Sequence, residues 1–355
     1  MKYPEFLKEK GTIGFVAPSF GCATEPYKTE FEIAQKKFRD MGYNLMLGPN
    51  CYAAEGIGIS NTPEKCGAEL TQYYVRRDND VLISCGGGEL MCETMDYVDF
   101  DQIKNAPAKW YMGYSDNTNM TFLLATLCDT ASVYGPCVSS FHMEPWHPSL
   151  QDAFGILNGT KATVNAKGET TITVKNYDGW ERESLKSEEN PVVTYHITEP
   201  FLMKSFVGDK ETKEKVTMEG RLLGGCVDCL INMIGTKYDN VKAFKEKYKE
   251  EGVVWFLECC DLNVLSIRRA LWSMENAGWF EGAKGFIFGR PLCFGQEIMG
   301  LDAYNAVTGI LGKHNVPILM DVDLGHLPPM MPMITGSYGK IAAADNSVSV
   351  EMILK

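Results

Sequence analysis

Up to Pro136 the chain alternates short apolar runs with helix-length amphipathic stretches, and few architectures accept that rhythm. Thr12-Ile13-Gly14-Phe15-Val16-Ala17-Pro18 is a continuous apolar run of the kind buried on both faces of a parallel sheet. Ser19-Phe20-Gly21 turns the chain, a helix through Phe31 to Phe38 is stopped by Gly42, and Tyr43 to Leu47 forms the next strand. Thr62 as N-cap and Pro63 at the first helical position open a second helix that runs to Arg77. Further strands fall at Asp80 to Ser84, at Trp110 to Gly113 and at Ala131 to Pro136. Strands and helices at this spacing imply an open parallel α/β sheet with right-handed crossovers.

The rhythm changes near Asn158. Residues 161–175 alternate and are rich in threonine and valine, and Asn176 to Pro191 is polar and turn-like. Regular patterning returns at Glu219, with strands at Gly252 to Leu257, Gly285 to Phe288 and Val316 to Met320, and a hairpin from Lys340 to Glu351. Ile267, Ala270, Leu271 and Met274 lie at i, i+3, i+4 and i+7, which predicts a helix with one buried face. We therefore expect an N-terminal α/β domain over residues 1–160, a linker and substrate-loop region over 161–218, and a smaller mixed α/β domain over 219–355.

Charge excludes one class of partner. The formal net charge is −12, and no Lys/Arg run with interleaved aromatics is present to track a phosphate backbone, so nucleic acid is not expected. The first ten residues carry charge throughout and lack an apolar signal region. No later stretch offers the ~18 uninterrupted apolar residues of a membrane span. The expectation is a cytoplasmic protein. Its 12 cysteines are spread through apolar segments, where a reduced thiol behaves as a small hydrophobe. The only C-x-x-C is Cys226-Val227-Asp228-Cys229, and its neighbour Cys259-Cys260 has the wrong spacing for a zinc knuckle, so no metal is expected.

Against this background Lys109 to Thr118 stands out as strand, sharp turn and helix start, with Ser115 in the turn. A serine there can be thrust out at the carboxyl edge of the sheet, with helical N–H groups beside it to stabilise an oxyanion. The same stretch also reads as simple capping, because Ser115, Asp116, Asn117 and Thr118 are all good N-caps for the apolar helix that follows. A nucleophilic serine needs a base and a carboxylate that orients it. Of the 5 histidines, His326 follows a buried strand and is hemmed by Gly325, Pro328 and Pro329, which makes it the best general-base candidate. Glu258 closes the apolar strand ending at Leu257, where a carboxylate is costly unless paired or placed at a solvent edge. Asp261 is the alternative orienting group.

These residues carry a resemblance. Gly113-Tyr114-Ser115-Asp116 with Thr118, the glycine turn Gly86-Gly87-Gly88 before it and Tyr134-Gly135-Pro136 after it resemble the nucleophile region of the LD-carboxypeptidase family of serine peptidases. That family includes murein tetrapeptide carboxypeptidases and microcin C immunity peptidases. Gly224-Gly225, Gly235-Thr236, Phe256-Leu257-Glu258 and Gly325-His326 match in the same order, so the resemblance spans nearly the whole chain. It implies a flavodoxin-like parallel-sheet domain followed by a mixed α/β domain, with the active site between them. It also implies a Ser115, His326, Glu258 triad, an oxyanion hole from the backbone N–H groups of Asp116 and Gly87, no cofactor, and a homodimer. Gly86 and Gly88 become candidate substrate contacts.

The chain departs from murein-type members in two ways. They usually carry an arginine and an aromatic in the glycine turn, where this chain has Cys85-Gly86-Gly87-Gly88-Glu89, and its 355 residues bring it nearer to the immunity-peptidase branch. The extra length falls around residues 165–215, where Trp180 is either a stacking surface for a flat substrate group or an ordinary packed tryptophan. The expected reaction is hydrolysis of an amide between an L- and a D-residue, with a peptidyl- or aminoacyl-nucleotide as the alternative substrate. Activity is expected to rise through a histidine pKa of roughly 6 to 7. The rival of another class is a non-catalytic α/β ligand-binding protein, or a nucleotide site on glycines 86–88. Those glycines lack the G-x-G-x-x-G spacing and no Walker lysine follows.

Overall fold

The computed structural model describes all 355 residues as two compact units. The first comprises residues 1–162, 183–196 and 332–334, and the second comprises 163–182, 197–331 and 335–355. No helix is long and apolar enough to cross a membrane.

The first unit is built on β1 (Thr12–Val16), β2 (Asn44–Leu47), β3 (Val81–Ser84), β4 (Trp110–Gly113) and β5 (Ser132–Tyr134). All pair in parallel, in the order 2-1-3-4-5, and Met333–Thr335 adds a strand beside β5. This is the doubly wound order in which ligands gather outside the carboxyl ends of the strands. β3 and β4 are wholly buried, as their uninterrupted apolar runs require. Helix α1 (Tyr27–Asp40) buries Phe31, Ala34 and Phe38 on one stripe. Helix α2 (Pro63–Val75) starts where expected, with the Thr62 side chain accepting from the Lys65 N–H. The helix Thr118–Thr126, which leaves the end of β4, is buried on every side.

The second unit carries the larger of the two main sheets. Its ten strands run in the order Lys210–Thr212, Lys204–Val207, Pro317–Val322, Ala283–Gly289, Val253–Glu258, Val216–Cys226, Tyr338–Ala344, Ser347–Leu354, Thr170–Lys175 and Ala162–Val164. The four strands from Pro317–Val322 to Val216–Cys226 are mutually parallel. Antiparallel pairs flank them on both sides. Residues 161–218 thus supply strands at both ends of this sheet, and the stretch 183–196 between them clusters with the first unit. The helix Val264–Asn276 is capped by Asn263, which accepts from the Ser266 N–H at 2.9 Å. Its Ile267, Ala270, Leu271 and Met274 are buried, as the spacing predicts. Gly224 sits at φ +155°, and a Cβ there would run into the Phe256 carbonyl, so the two parallel strands approach only because this residue is glycine.

Candidate active site

Ser115 follows β4 directly and opens a short 3-10 turn, Ser115–Asn117, before the helix Thr118–Thr126. Its φ of +62° is left-handed, a conformation that costs a non-glycine residue energy and belongs to a serine raised on a strand-to-helix elbow. The Ser115 N–H donates to the Tyr134 hydroxyl at 3.0 Å, which ties the elbow to the end of β5. Capping by Asp116 or Asn117, expected from the sequence, is not what these side chains do. The buried Asp116 carboxylate accepts from Ser19 Oγ at 2.5 Å, the Met91 N–H at 2.9 Å and Asn119 Nδ2 at 3.0 Å. Asn117 donates to the carbonyls of Gly86 at 2.8 Å and Tyr114 at 3.1 Å, and its Oδ1 accepts from the Tyr111 hydroxyl. Asp116 thus links the loop after β1, the segment after β3 and the helix itself, and Asn117 is held by the loop after β3 and by β4 and its turn.

The glycine turn after β3 lies against the serine. A Cβ on Gly87 would stand 3.1 Å from Ser115 Cβ and 3.2 Å from its Oγ. Gly86 is held through its carbonyl by Ser84 Oγ at 3.0 Å and by Asn117. Gly88, at φ +156°, leaves room for the Ser19 hydroxyl. The structure therefore brings Ser115, Asp116 and Gly86 to Gly88 together at the carboxyl ends of β3 and β4.

Glu258 and His326 meet in the second unit. Glu258 is the last residue of Val253–Glu258, and His326 lies in the loop after Pro317–Val322, both at the carboxyl edge of the parallel strands. His326 Nδ1 stands 2.8 Å from Glu258 Oε2, with the carboxylate fully buried and the imidazole partly exposed. Gly325, at φ +103°, permits the approach, since a Cβ there would lie 2.6 Å from that same oxygen. Burial pulls the His326 pKa down, but the Glu258 charge and the imidazole's hydrogen bonds to Cys260 and Glu258 outweigh it and lift the imidazole well above its ordinary value. Asp261, the alternative orienting acid, is exposed, and its Oδ1 accepts from Cys260 Sγ at 3.7 Å. Its N–H and that of Cys260 donate to the two oxygens of Asp228 at 2.9 and 3.0 Å.

Trp180 is buried, with 3% of its surface exposed. Its ring meets Phe294 edge-on at 5.1 Å and carries the Arg290 guanidinium at 4.9 Å, so in this conformation it is a packed tryptophan. All 12 cysteines are free thiols, and no three His, Cys, Asp or Glu side chains are grouped to hold a metal ion. Sequence reasoning missed Ser19 and Asn117 as partners of the serine turn. Both are short polar residues beside glycine-rich turns, and only the tertiary pairing of strand ends distinguishes them from ordinary turn residues.

A strained serine on a strand end and a His–Glu pair on a parallel edge are matched by known proteins. Residues 13–135 match the LD-carboxypeptidase N-terminal domain and residues 219–341 match the LD-carboxypeptidase C-terminal domain. The chain belongs to the LD-carboxypeptidase family. It is a serine peptidase of family S66. Over 342 residues it is 23% identical to the microcin C7 self-immunity protein MccF of Escherichia coli, covering 96% of this chain and 92% of that protein. Among solved structures, the MccF-like protein of Bacillus anthracis superposes with a TM-score of 0.80 at 19% identity, covering 99% of each chain. MccF in complex with aspartyl sulfamoyl adenosine superposes at 0.79 and 20% identity, over 99% of this chain and 98% of that one. At these identities the structural likeness speaks for the fold.

Proposed function

We propose that this LD-carboxypeptidase family member hydrolyses an amide between an L- and a D-residue, as in a murein tetrapeptide, through Ser115, His326 and Glu258. The observation that carries the reading is the contact of the buried Glu258 carboxylate with His326 Nδ1 at 2.8 Å, which holds an imidazole in one orientation for proton transfer. In this scheme His326 takes the Ser115 proton as Oγ attacks the scissile carbonyl. The backbone N–H groups of Asp116 and Gly87 receive the developing oxyanion. His326 then returns the proton to the leaving D-residue amine, and water hydrolyses the acyl-enzyme by the same route in reverse. The expected assembly is a homodimer.

A second substrate class has its own support. Proteins of this fold are described in complex with aspartyl sulfamoyl adenosine, glutamyl sulfamoyl guanosine and adenosine monophosphate, and the chain aligns with MccF along nearly its whole length. An aminoacyl- or peptidyl-nucleotide is therefore the alternative substrate. Offering the purified protein a murein tetrapeptide and an aminoacyl-sulfamoyl nucleoside, with products followed by mass spectrometry, separates the two. Release of D-alanine without turnover of the nucleoside supports the first, and the converse supports the second. Ser115→Ala is expected to abolish both turnover and fluorophosphonate labelling while leaving the fold intact. A Ser115→Ala protein with undiminished turnover would remove the triad.

A further inference from the structure

The loop that carries His326 is threaded through two tight passages. Gly289 lacks the Cβ that would strike the Leu324 carbonyl, and Gly325 lacks the one that would strike Glu258. At the mouth of the first passage stands Arg290, 1% exposed, at the end of Ala283–Gly289. Its Nη2 donates to Asp323 Oδ1 and its Nη1 to the Asp321 carbonyl at 2.6 Å, so one guanidinium grips the loop three and five residues before His326. Asp323 is fully buried. Its second carboxylate oxygen accepts from the Tyr177 N–H at 2.8 Å, and its carbonyl accepts from the Met331 N–H at 2.7 Å. The loop is pinned again at Pro328, whose carbonyl accepts from the Glu181 N–H at 2.7 Å.

A buried ion pair is a poor source of stability, because desolvation offsets most of its Coulomb gain. Here the arrangement is less favourable still: Arg290 Nε is buried with no acceptor. What such a pair does well is fix geometry, since a bidentate-capable guanidinium tolerates little displacement of its partners. The group whose position matters is the imidazole three residues on. An error of about 1 Å there is worth roughly a hundredfold in rate.

We propose that Arg290 and Asp323 are positioning residues that clamp the His326 loop and thereby set the imidazole against Glu258. The proposal rests on the triad reading for its catalytic consequence. The clamp itself is testable without substrate. His326 is faced by Glu258 and Cys260, so loosening the loop weakens both contacts, and the imidazole titrates lower.

The experiment compares wild type, Arg290→Lys and the apolar double variant Arg290→Met/Asp323→Leu. The double variant removes both charges and leaves neither one buried alone. Histidine side chains are labelled with 15N and titrated by NMR, with His326→Gln identifying its signal, and kcat and KM are measured across pH on whichever substrate is turned over. The expected result is a lower His326 titration midpoint in the double variant, a kcat at least tenfold down and a KM within about threefold, with the lysine variant in between. A folded double variant whose His326 titrates as in wild type overturns the clamp, as does failure of every variant to fold, which would make the pair scaffold alone. If Ser115→Ala retains full turnover the catalytic reading fails separately, while the titration still decides the clamp.

Discussion

Replacing Glu258 by glutamine removes one negative charge and keeps the side-chain volume. In the wild type the buried carboxylate lies 2.8 Å from His326 Nδ1, and its charge is the leading influence that raises the imidazole against the depressing effect of burial. A hydrogen bond to a charged group is worth about 1.5–3 kcal/mol, so its loss together with the carboxylate charge is expected to lower the imidazole's titration midpoint in the variant. In the proposed triad His326 acts as base only when neutral. The acidic limb of kcat/KM therefore lies above the ordinary value of 6.5 in the wild type, higher than sequence alone suggests, and moves down in Glu258→Gln. The plateau falls as well, because the glutamine amide can donate to Nδ1 and favour the wrong tautomer. A loss of about 10³–10⁴ is expected, or about 4–5 kcal/mol of transition-state stabilisation. Stability follows the same linkage. Because the folded pKa is raised, the contribution of His326 is fully present below its unfolded value and is lost as pH rises through the folded one. Profiles of kcat/KM from pH 5 to 10, beside urea unfolding at the same pH values, check all three. An acidic limb that stays in place, or a plateau within tenfold of wild type, would refute the argument.

Other outcomes follow from the geometry. Gly87→Ala places a methyl 3.1–3.2 Å from Ser115 Cβ and Oγ, so kcat should fall about 10- to 100-fold with little change in thermal midpoint. Asp116→Ala leaves the donors on Ser19 and Met91 without their carboxylate acceptor, while Asn119 Nδ2 keeps the backbone carbonyl of residue 116, and should cost about 3 kcal/mol in urea unfolding. Gly224→Ala forces a Cβ into the Phe256 carbonyl and should abolish soluble expression, whereas Gly168→Ala, with nothing near its Cβ, should cost only about 1 kcal/mol from its positive φ. Trp255→Ala, in a fully buried cluster with Trp279 and Phe280, should destabilise by about 3–5 kcal/mol.

Much of this was legible in local pattern. The parallel strands of the first unit are buried on both faces, so each must be apolar throughout, and Val81–Ser84 and Trp110–Gly113 announce themselves. Thr62-Pro63 and the Ile267, Ala270, Leu271, Met274 stripe fixed helices for equally local reasons. Glu258 and His326 were candidates because each follows an apolar strand run, where a charge needs a purpose, but local pattern left Asp261 open as the orienting acid and only the family resemblance paired the two. Residues 161–218 were harder. Thr170–Lys175 and Lys204–Val207 alternate as edge-region strands do, and a short alternating stretch does not say which strand it will pair with.

The sequence by itself determined the alternation of strands and helices in the first unit, the turn at Ser115 and the places of Glu258 at a strand end and His326 in the loop after one. Each of these depends on residues within a few positions of one another. Tertiary structure alone decided that Asp116 and Asn117 turn from the helix to the neighbouring loops, that Trp180 is packed beneath Arg290, and that Arg290 grips Asp323 from 33 positions away. Those contacts join segments remote in the chain, and no local periodicity encodes which strand end will stand beside which.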